Sequence, residues 1–398
     1  MKPIIGFLYS LLIIVMCVSM VSCDKQAQLT PAPIGEDGLP FHKEGSSYLD
    51  IEEFRENVND AFKGNVVGYG WAVYQGGKLI GAGGDGFARE PGPQGVQQKY
   101  TANTFGTVFS TSKTITAAAA VEQLSQLGLS LDLQIKDFLP DGWRMHPTQE
   151  HITFRDLLAH TSGLLGTVDG YTDMRDSLLI PNRGNPGTYR YSNFNYTLFR
   201  VLIPYLFWDV ELNMATQQGD NAAIDFCAEK YESFIRSRLS QIPVPGHQNI
   251  DTNYPYNQLM AWYYDYQDLI AGAAYGAPMF DCHDISGAGG WFMTPIQYAA
   301  FIDGLFNGKV VSETDLEVMK SENLGMYAIG PFDYGIYYTH NGGAPVSGSK
   351  GGQCQWMHFP EQNISFFIAW NSSNNNLPVS AAGRDSIQLS IFENAWVE

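Results

Sequence analysis

One lysine stands alone in an apolar stretch of this sequence. Between Tyr100 and Val121 the only charged residue is Lys113, set among Ala, Thr, Val, Phe and Ile. Because burying an unpaired ammonium is costly, a lysine there must find partners or lose its proton. Ser110 lies three residues upstream, about one turn away on the same helix face. A desolvated amine beside it could act as the base that activates a serine nucleophile.

The Ser-x-x-Lys spacing is not specific by itself, because it occurs three times in the chain. The pairs are Ser22–Lys25, Ser110–Lys113 and Ser347–Lys350. The first pair lies at the predicted cleavage region of a signal segment, and the third lies in a glycine-rich loop. Only the middle pair has a helical, charge-free setting, which favours Ser110 and Lys113 as a catalytic pair.

The segment YRYSNFNYTLF places Tyr191 two residues before Asn193. A tyrosine can exchange protons with a nucleophile or a leaving group if nearby cations lower its pKa. An asparagine amide can hold a substrate carbonyl or orient a lysine. The alternative is a plain aromatic stretch near a helix start, with serine or asparagine as the cap.

The segment YTHNGGAPVSGSKGG contains His340, Gly342 and Gly343 after an aromatic, strand-like run. Glycine beside a polar residue lets the backbone approach a ligand closely, and a free amide there could bind an oxyanion. The alternative is a surface loop with an exposed histidine.

Both ends of the chain carry the strand and helix patterns that could position these residues. Helical spacing predicts a helix over 47–63, and the hairpin that follows turns at Gly76-Gly77. Strand, turn and strand recur in GGQCQWMHFPEQNISFFIAW, and RDSIQLSIFENAWVE closes the chain as a helix. We therefore predict an α+β fold in which 47–107 and 325–398 form one antiparallel sheet flanked by helices. Residues 108–324 would be an inserted, mainly helical lobe.

The first residues are typical of a secretory signal, with Lys2 followed by no charge until Asp24. An uncleaved membrane anchor is the alternative. Cys23 follows a small residue, as in a bacterial lipobox, which predicts a signal peptide over 1–22 and lipidation of Cys23. The polar, proline-rich linker 23–46 would tether the domain 47–398 to a membrane. We expect export to the bacterial cell envelope.

The net charge bears on possible partners, and the cysteine count bears on disulfide bonding. A formal net charge of −18 argues against nucleic acid as a partner and favours a soluble, acidic surface. Beyond the signal and the lipidation site, Cys227, Cys282 and Cys354 remain, an odd number. One disulfide with a free thiol and three buried free thiols are equally compatible with this count.

Two other features give weaker signals. The run 281–284, Asp-Cys-His-Asp, clusters potential metal ligands but lacks a second pair at ligand spacing, so we expect no metal and no cofactor. The aromatic residues Trp262, Tyr263, Tyr264 and Tyr266 could line a substrate cleft, although such a run is more often core and rim.

In their order and separation, the three motifs resemble those of the serine β-lactamase and penicillin-binding-protein superfamily, on its class C-like, D-Ala-D-Ala peptidase and esterase side. The intervening sequence is similar as well, from about Asn65 to the end of the chain. The matching segments are LSLDLQIKDFLPD (129–141), ITFRDLLAHTSGL (152–164), PGTYRYSN (186–193) and GAGGWFMTPIQYAAFIDGLFNG (287–308). The resemblance implies a β-lactamase/transpeptidase-like fold.

The resemblance also implies a role for each motif residue. Ser110 would be the acylated nucleophile, with Lys113 either as the general base or as the charge that activates Tyr191. Tyr191 would pass the proton to the leaving group and help water to attack. The sequence does not decide whether Lys113 or Tyr191 takes the proton of Ser110.

The remaining motif residues would bind the substrate. Asn193 would hold its acyl-side amide, and the backbone amides of Ser110 and Gly343 would form an oxyanion hole. His340, followed by Gly342, would line the site opposite Tyr191, where many relatives have lysine. A largely neutral histidine makes efficient β-lactam hydrolysis less expected.

The sequence therefore predicts an exported serine hydrolase acting on an amide or ester, either a D-amino-acid peptide, a cell-wall fragment or a small ester. A β-lactamase, or a non-catalytic binding protein that retains the fold, are the alternatives. The expected partners are a small-molecule or peptide substrate and a membrane. No oligomeric state is predicted.

Overall fold

The computed structural model describes residues 47–90, 97–168, 170–181, 183–242, 246, 250–252, 260–265, 275–373 and 386–397. The predicted signal peptide, the linker and Cys23 therefore lie outside the described residues, as does Tyr266.

Helices and strands occur in separate runs along most of the described chain, with strands near both ends and a run of helices between them. Its helices are α1 (Ile51–Phe62), α2 (Ser112–Gln126), α3 (Phe154–Leu158), α4 (Tyr171–Leu178), α5 (Asn193–Thr197), α6 (Phe199–Gln218), α7 (Asp220–Leu239), α8 (Pro295–Phe306), α9 (Glu313–Glu322) and α10 (Ile387–Ala395). Its strands are β1 (Tyr48–Leu49), β2 (Gly68–Gln75), β3 (Lys78–Arg89), β4 (Gln98–Lys99), β5 (Gly106–Thr107), β6 (Tyr264–Asp265), β7 (Phe292–Met293), β8 (Tyr327–Phe332), β9 (Gly335–Ser347), β10 (Lys350–Phe359), β11 (Ile364–Trp370), β12 (Ser372–Ser373) and β13 (Trp396–Val397).

The central sheet is built from strands of both chain ends. Its order is β8–β9–β10–β11–β2–β3–β4, and these neighbours are antiparallel. The tight turn between β2 and β3 uses Gly76 and Gly77, whose φ angles of +54° and +86° suit glycine. The predicted α+β fold with an antiparallel sheet from both chain ends is confirmed.

Each central strand is buried on both faces, so alternate residues enter two different cores. On β11, Ile364, Phe366 and Ile368 point toward a core shared with α1 and α10. Phe367 of the same strand points to the opposite core and stacks on Tyr298 of α8 at 4.4 Å between ring centroids. The sheet therefore lies between a layer made from the terminal helices and a larger layer that contains α2 and α8.

The first predicted helix begins later than expected. The prediction started it at residue 47, but Tyr48–Leu49 pairs with Trp396–Val397 as a short antiparallel ladder. The side chain of Asp50 then accepts hydrogen bonds from the backbone amides of Glu52 and Glu53. An N-cap aspartate of this kind starts the helix at Ile51.

The predicted division between the sheet and the helical lobe also differs from the structure. The range 108–324 contains α8, whose residues pack directly on the sheet. It also contains β6, where Tyr264 pairs with Gly351 of β10. Both segments lie within the range predicted as helical lobe but contribute to the α/β part of the fold.

Cys227, Cys282 and Cys354 are all free and buried. Of the two possibilities left open by the count, the structure has three separate buried thiols. Among the described helices, none has both the length and the apolar character that a membrane span requires.

Candidate active site

Ser110 lies in a short 3-10 turn, Phe109–Thr111, that leads directly into α2. Phe109 has a φ angle of +44°, a left-handed conformation that is strained for an aromatic residue. Neighbouring groups hold the turn. The Thr111 hydroxyl donates to the Val108 carbonyl at 2.6 Å, and the Cys354 thiol donates to the same carbonyl at 3.2 Å. These two hydrogen bonds therefore fix the turn that carries Ser110.

Two glycines lie close against the backbone of this turn. A Cβ atom added to Gly342 of β9 would lie 2.8 Å from the Ser110 amide nitrogen. A Cβ added to Gly289 would lie 3.2 Å from the Phe109 carbonyl oxygen. The close approach of β9 to Ser110 thus depends on the absence of a side chain at Gly342.

Lys113 is fully buried, one turn into the same helical run. Its Nζ lies 3.3 Å from the Ser110 Oγ, 2.8 Å from the Asn193 Oδ1 and 2.6 Å from the Ala288 carbonyl oxygen. The predicted pairing of Ser110 with Lys113 is therefore present in the geometry.

Burial lowers the pKa of Lys113 well below its usual range. A neutral amine has two N–H donors and one lone pair. The donors match the oxygens of Asn193 and Ala288, which are the two closer neighbours. The lone pair is then left for the hydroxyl of Ser110. This arrangement suits a base that takes the proton of Ser110.

Tyr191 lies on the other side of Ser110 and donates its hydroxyl to the Ser110 Oγ at 2.8 Å. Its ring also contacts the Lys113 Nζ, 4.8 Å from the ring centroid. The residue is 41% exposed, yet desolvation raises the pKa of its hydroxyl to about 12. The sequence predicted a cation that lowers this pKa, but the structure has the opposite shift because the hydroxyl is largely removed from water.

Asn193 is the first residue of α5 and joins two parts of the site. Its Oδ1 accepts from Lys113, and its Nδ2 donates to the Thr167 Oγ1 at 3.3 Å. Of the two uses foreseen for this amide, orientation of the lysine is the one seen in the structure.

His340 is buried on β9, only 2% exposed, so the alternative of a surface loop with an exposed histidine is wrong. Its Nδ1 lies 2.6 Å from the Asn341 carbonyl oxygen, and its ring stacks on Tyr327 at 5.0 Å. Burial lowers the pKa of His340 to about 3. Gly343 follows on the same strand and is exposed.

Sequence reasoning missed the Ala288 carbonyl and the residue His160. A backbone carbonyl carries no side-chain signal, so no pattern could point to Ala288. The segment ITFRDLLAHTSGL was noted as family-like, but the histidine within it was not given a role. In the structure the ring of His160 lies 4.7 Å from that of Tyr191.

The weaker signals have structural roles. Tyr263 and Tyr264 are buried, which favours core over cleft for this part of the aromatic run. The Tyr263 hydroxyl accepts from the Thr107 amide at 2.8 Å and so supports the strand before Ser110. Within the described part of the chain, no group of His, Cys, Asp or Glu is arranged to hold a metal ion. His283 instead hydrogen bonds to the buried carboxylate of Glu232.

Comparisons with known proteins show what this chain resembles. A family model described as Beta-lactamase matches residues 51–207, which include Ser110, Lys113 and Tyr191. The curated "Putative penicillin-binding protein PbpX" of Bacillus subtilis (strain 168) is 24% identical over 229 residues. That match covers 54% of this chain and 52% of the relative, so the chain spans about half the length of the curated protein it matches.

Solved structures share the fold at low identity. A D-amino acid amidase from Ochrobactrum anthropi SV3 matches with a TM-score of 0.64 and 17% identity, covering 86% of this chain and 97% of that one. An octameric penicillin-binding protein homologue from Pyrococcus abyssi matches with a TM-score of 0.63 and 18% identity, covering 82% and 74%. A class C β-lactamase from Rhodobacter sphaeroides has a TM-score of 0.62 and 14% identity, covering 86% and 98%.

These likenesses define a β-lactamase/transpeptidase-like fold. The family match over residues 51–207 and the similarity to the penicillin-binding protein show that this part of the chain resembles the serine β-lactamase and penicillin-binding-protein superfamily.

Proposed function

We propose that this protein is an exported serine hydrolase that forms an acyl-enzyme at Ser110 and then hydrolyses it. The observation that carries the proposal is the position of the Ser110 hydroxyl between a buried amine at 3.3 Å and a tyrosine hydroxyl at 2.8 Å. A nucleophile held between a proton acceptor and a proton donor is equipped for acyl transfer.

In the proposed acylation step, Lys113 takes the Ser110 proton while the Ser110 Oγ forms a bond to the substrate carbonyl carbon. The negative charge on the carbonyl oxygen would be met by the backbone amides of Ser110 and Gly343. The bond to the leaving amine or alcohol then breaks, and Tyr191 donates its proton to that group. Lys113 returns a proton to Tyr191. Deacylation repeats these transfers with water as the nucleophile.

The proposed substrates are amides or esters: a D-amino-acid peptide, a cell-wall fragment or a small ester. Because His340 is buried and neutral, it offers no positive charge to a carboxylate, which favours substrates whose leaving group carries none. The ranges 239–308 and 321–349 contain no Lys or Arg, which also argues against a fixed cation for such a group. The fold neighbour that is an amidase of D-amino acids is consistent with this choice.

The proposed place of action is the bacterial cell envelope. The support is the uncharged segment before Cys23 and the polar tether after it, both read from the sequence. Incorporation of a labelled fatty acid should be lost in Cys23→Ala. Persistent labelling in that variant would rule out Cys23 as the attachment site.

The function is tested by intact mass and turnover with four probes: D-alanine amide, p-nitrophenyl acetate, an acyl-D-Ala-D-Ala peptide and benzylpenicillin. We expect turnover of the amide or the ester, and a transient acyl adduct on the native protein. Ser110→Ala should abolish both, whereas Ser347→Ala, the serine of the third Ser-x-x-Lys pair, should not.

Each other result favours a different function. Rapid loss of benzylpenicillin that depends on Ser110 would favour the β-lactamase alternative. Equal rates for the native protein and Ser110→Ala with every probe would favour a non-catalytic binding protein.

A further inference from the structure

His160 is a buried histidine that the proposed chemistry does not use. It follows α3 and is 5% exposed. Its φ angle is +58°, in the left-handed region that non-glycine residues rarely adopt. Strain of this kind persists only where the surroundings determine it, and it is common near functional sites.

His160 is bonded to the chain on both sides of Tyr191. Its backbone carbonyl accepts from the amide of Arg190 at 2.8 Å. Its ring Nδ1 lies 3.3 Å from the amide nitrogen of Ser192. Its ring also lies against that of Tyr191, with 4.7 Å between the centroids. One residue thus contacts the side chain of Tyr191 and the backbone amides of the residues before and after it.

The partners of Nδ1 determine the protonation of the ring. A backbone amide can only donate, so the Nδ1 that faces Ser192 must be an acceptor. The side-chain amide of Asn195 lies 3.1 Å from the same atom, and its Oδ1 accepts from the Ser162 hydroxyl at 2.6 Å. The imidazole is therefore neutral, with its proton on Nε2. Burial acts in the same direction and lowers the pKa of His160 to about 3.

The surrounding loops reinforce this contact. The segment that follows α3 makes further hydrogen bonds to the segment that carries Tyr191. The Gly187 amide donates to the Thr161 carbonyl at 2.8 Å, and the Ser192 hydroxyl donates to the Gly166 carbonyl at 3.0 Å. His160 lies inside this paired region, on the side that faces the ring of Tyr191.

We infer that His160 is a positioning residue that holds the hydroxyl of Tyr191 at Ser110 by accepting hydrogen bonds from the backbone amides of Arg190 and Ser192, the residues on either side of Tyr191. The inference rests on the proposed function for its kinetic consequence. A displacement of about 1 Å at a reacting group can cost on the order of 100-fold in rate, so the fixed backbone on both sides of Tyr191 matters for the reaction.

The test compares two substitutions that differ in one property. His160→Asn keeps an acceptor near the position of Nδ1, and asparagine tolerates the left-handed backbone. His160→Phe keeps an aromatic ring but removes the acceptor. We expect His160→Phe to lower kcat about 100-fold with little change in KM. His160→Asn should stay within about fivefold of the native kcat, because the acceptor is retained.

A double-mutant cycle with Tyr191→Phe separates positioning from general damage. If His160 acts through Tyr191, His160→Phe should change the rate by less than about threefold in the Tyr191→Phe background. Additive losses in the cycle would overturn the inference, as would a native kcat in His160→Phe.

The matched control is His358→Phe. His358 is also buried, stacks on Phe306 at 3.8 Å and pairs its Nδ1 with Ser365 at 2.8 Å, but it contacts no residue of the proposed site in these interactions. Its replacement should lower the unfolding midpoint and leave kcat of the folded fraction unchanged.

Crystal structures of the two His160 variants test the geometry without any substrate. The distance from the Tyr191 hydroxyl to the Ser110 Oγ should remain near 2.8 Å in His160→Asn and lengthen in His160→Phe. An unchanged distance in His160→Phe would contradict the inference. A protein that turns over none of the four probes would contradict only the proposed function.

Discussion

Ser110–Lys113 and Ser347–Lys350 have the same spacing in the sequence and opposite surroundings in the structure. Lys113 lies in a helix, fully buried, with three oxygen atoms within 3.3 Å of its Nζ. Ser347 and Lys350 pair across the turn between β9 and β10, where Ser347 is exposed and Lys350 is half-buried. Only the first pair places its amine out of water and beside its serine.

The difference between the two pairs teaches that a lysine becomes a base through its surroundings. Desolvation without a carboxylate partner favours the uncharged amine, and a solvated lysine keeps its proton at neutral pH. From residue types and spacing alone, both pairs would be equally good candidates for a serine nucleophile and its base. Substitutions at both pairs therefore test whether burial, and not spacing, creates the chemistry.

The largest effect is expected for the serines. Ser110→Ala should lower kcat/KM for a hydrolysed amide or ester by at least about 10,000-fold, because the acyl-enzyme cannot form. Ser347→Ala should leave kcat/KM unchanged within error. Steady-state kinetics on both purified variants measures the contrast. Equal losses in the two variants would remove the distinction between the pairs.

The lysines should differ by a smaller but still large factor. Lys113→Met should lower kcat by about 1,000-fold, because the general base is lost while the buried volume is nearly kept. The unfolding midpoint should fall modestly, since methionine itself needs no hydrogen-bond partner but the oxygens of Asn193 and Ala288 lose their donor. Lys350→Met should retain native kinetics.

The pH profile provides a second measurement on the same lysine. Because the base must be unprotonated, kcat/KM of the native protein should rise with pH through the lowered pKa of Lys113 and then level off. A rise that begins only near the ordinary lysine range would mean that Lys113 is charged in the free protein.

A new cation on β9 should change substrate preference by about tenfold. His340→Lys would supply a charge for a substrate carboxylate, and a charge-assisted hydrogen bond contributes about 1.5 kcal/mol or more. The ratio of kcat/KM for an acyl-D-Ala-D-Ala peptide to that for its terminal amide should therefore increase. His340→Gln, which stays neutral, should not alter the ratio. If both variants shift the ratio equally, charge is not the determinant.

The smallest effect concerns stability, and it extends the comparison to buried histidines. Burial lowers the pKa of His358 to about 3, and an unfolded histidine titrates near 6.5. Between these values the unfolded state binds the extra proton, so the stability from the neutral ring is present above pH 6.5 and is lost as pH falls. By pH 5.5 this loss is about 1.4 kcal/mol for one histidine.

The measurement is denaturant unfolding of the native protein and His358→Phe at pH 7.5 and 5.5. The decrease in unfolding free energy between the two pH values should be smaller in the variant by about 1.4 kcal/mol. The same decrease in both proteins would mean that His358 is not held neutral in the folded state.

The sequence predicted the parts of the fold and site that have local signals. The glycine pair at Gly76-Gly77 located the first hairpin, and the isolated charge of Lys113 located the proposed base. The order of the motifs then indicated that Tyr191 and Asn193 meet Ser110, although they are far apart in the chain.

The parts that were missed depend on tertiary contacts. The two-residue strand Tyr48–Leu49 is too short to have a pattern, and its partner lies at the other end of the chain. The helix Pro295–Phe306 has a helical pattern whichever layer it joins, so only its packing assigns it to the sheet. The Ala288 carbonyl enters the site as backbone, for which side-chain reasoning has no signal.

The glycines beside the Phe109–Ser110 peptide have a consequence for how this protein can vary. Any side chain at Gly342 would overlap the Ser110 amide at 2.8 Å, whereas a Cβ at Gly343 would meet chiefly the movable side chain of Gln353 at 2.9 Å. In a library of single substitutions selected for turnover, position 342 should return glycine alone, and position 343 should also accept small residues such as alanine and serine. Two adjacent glycines would thus differ in mutational tolerance: this protein could vary at position 343 but not at position 342.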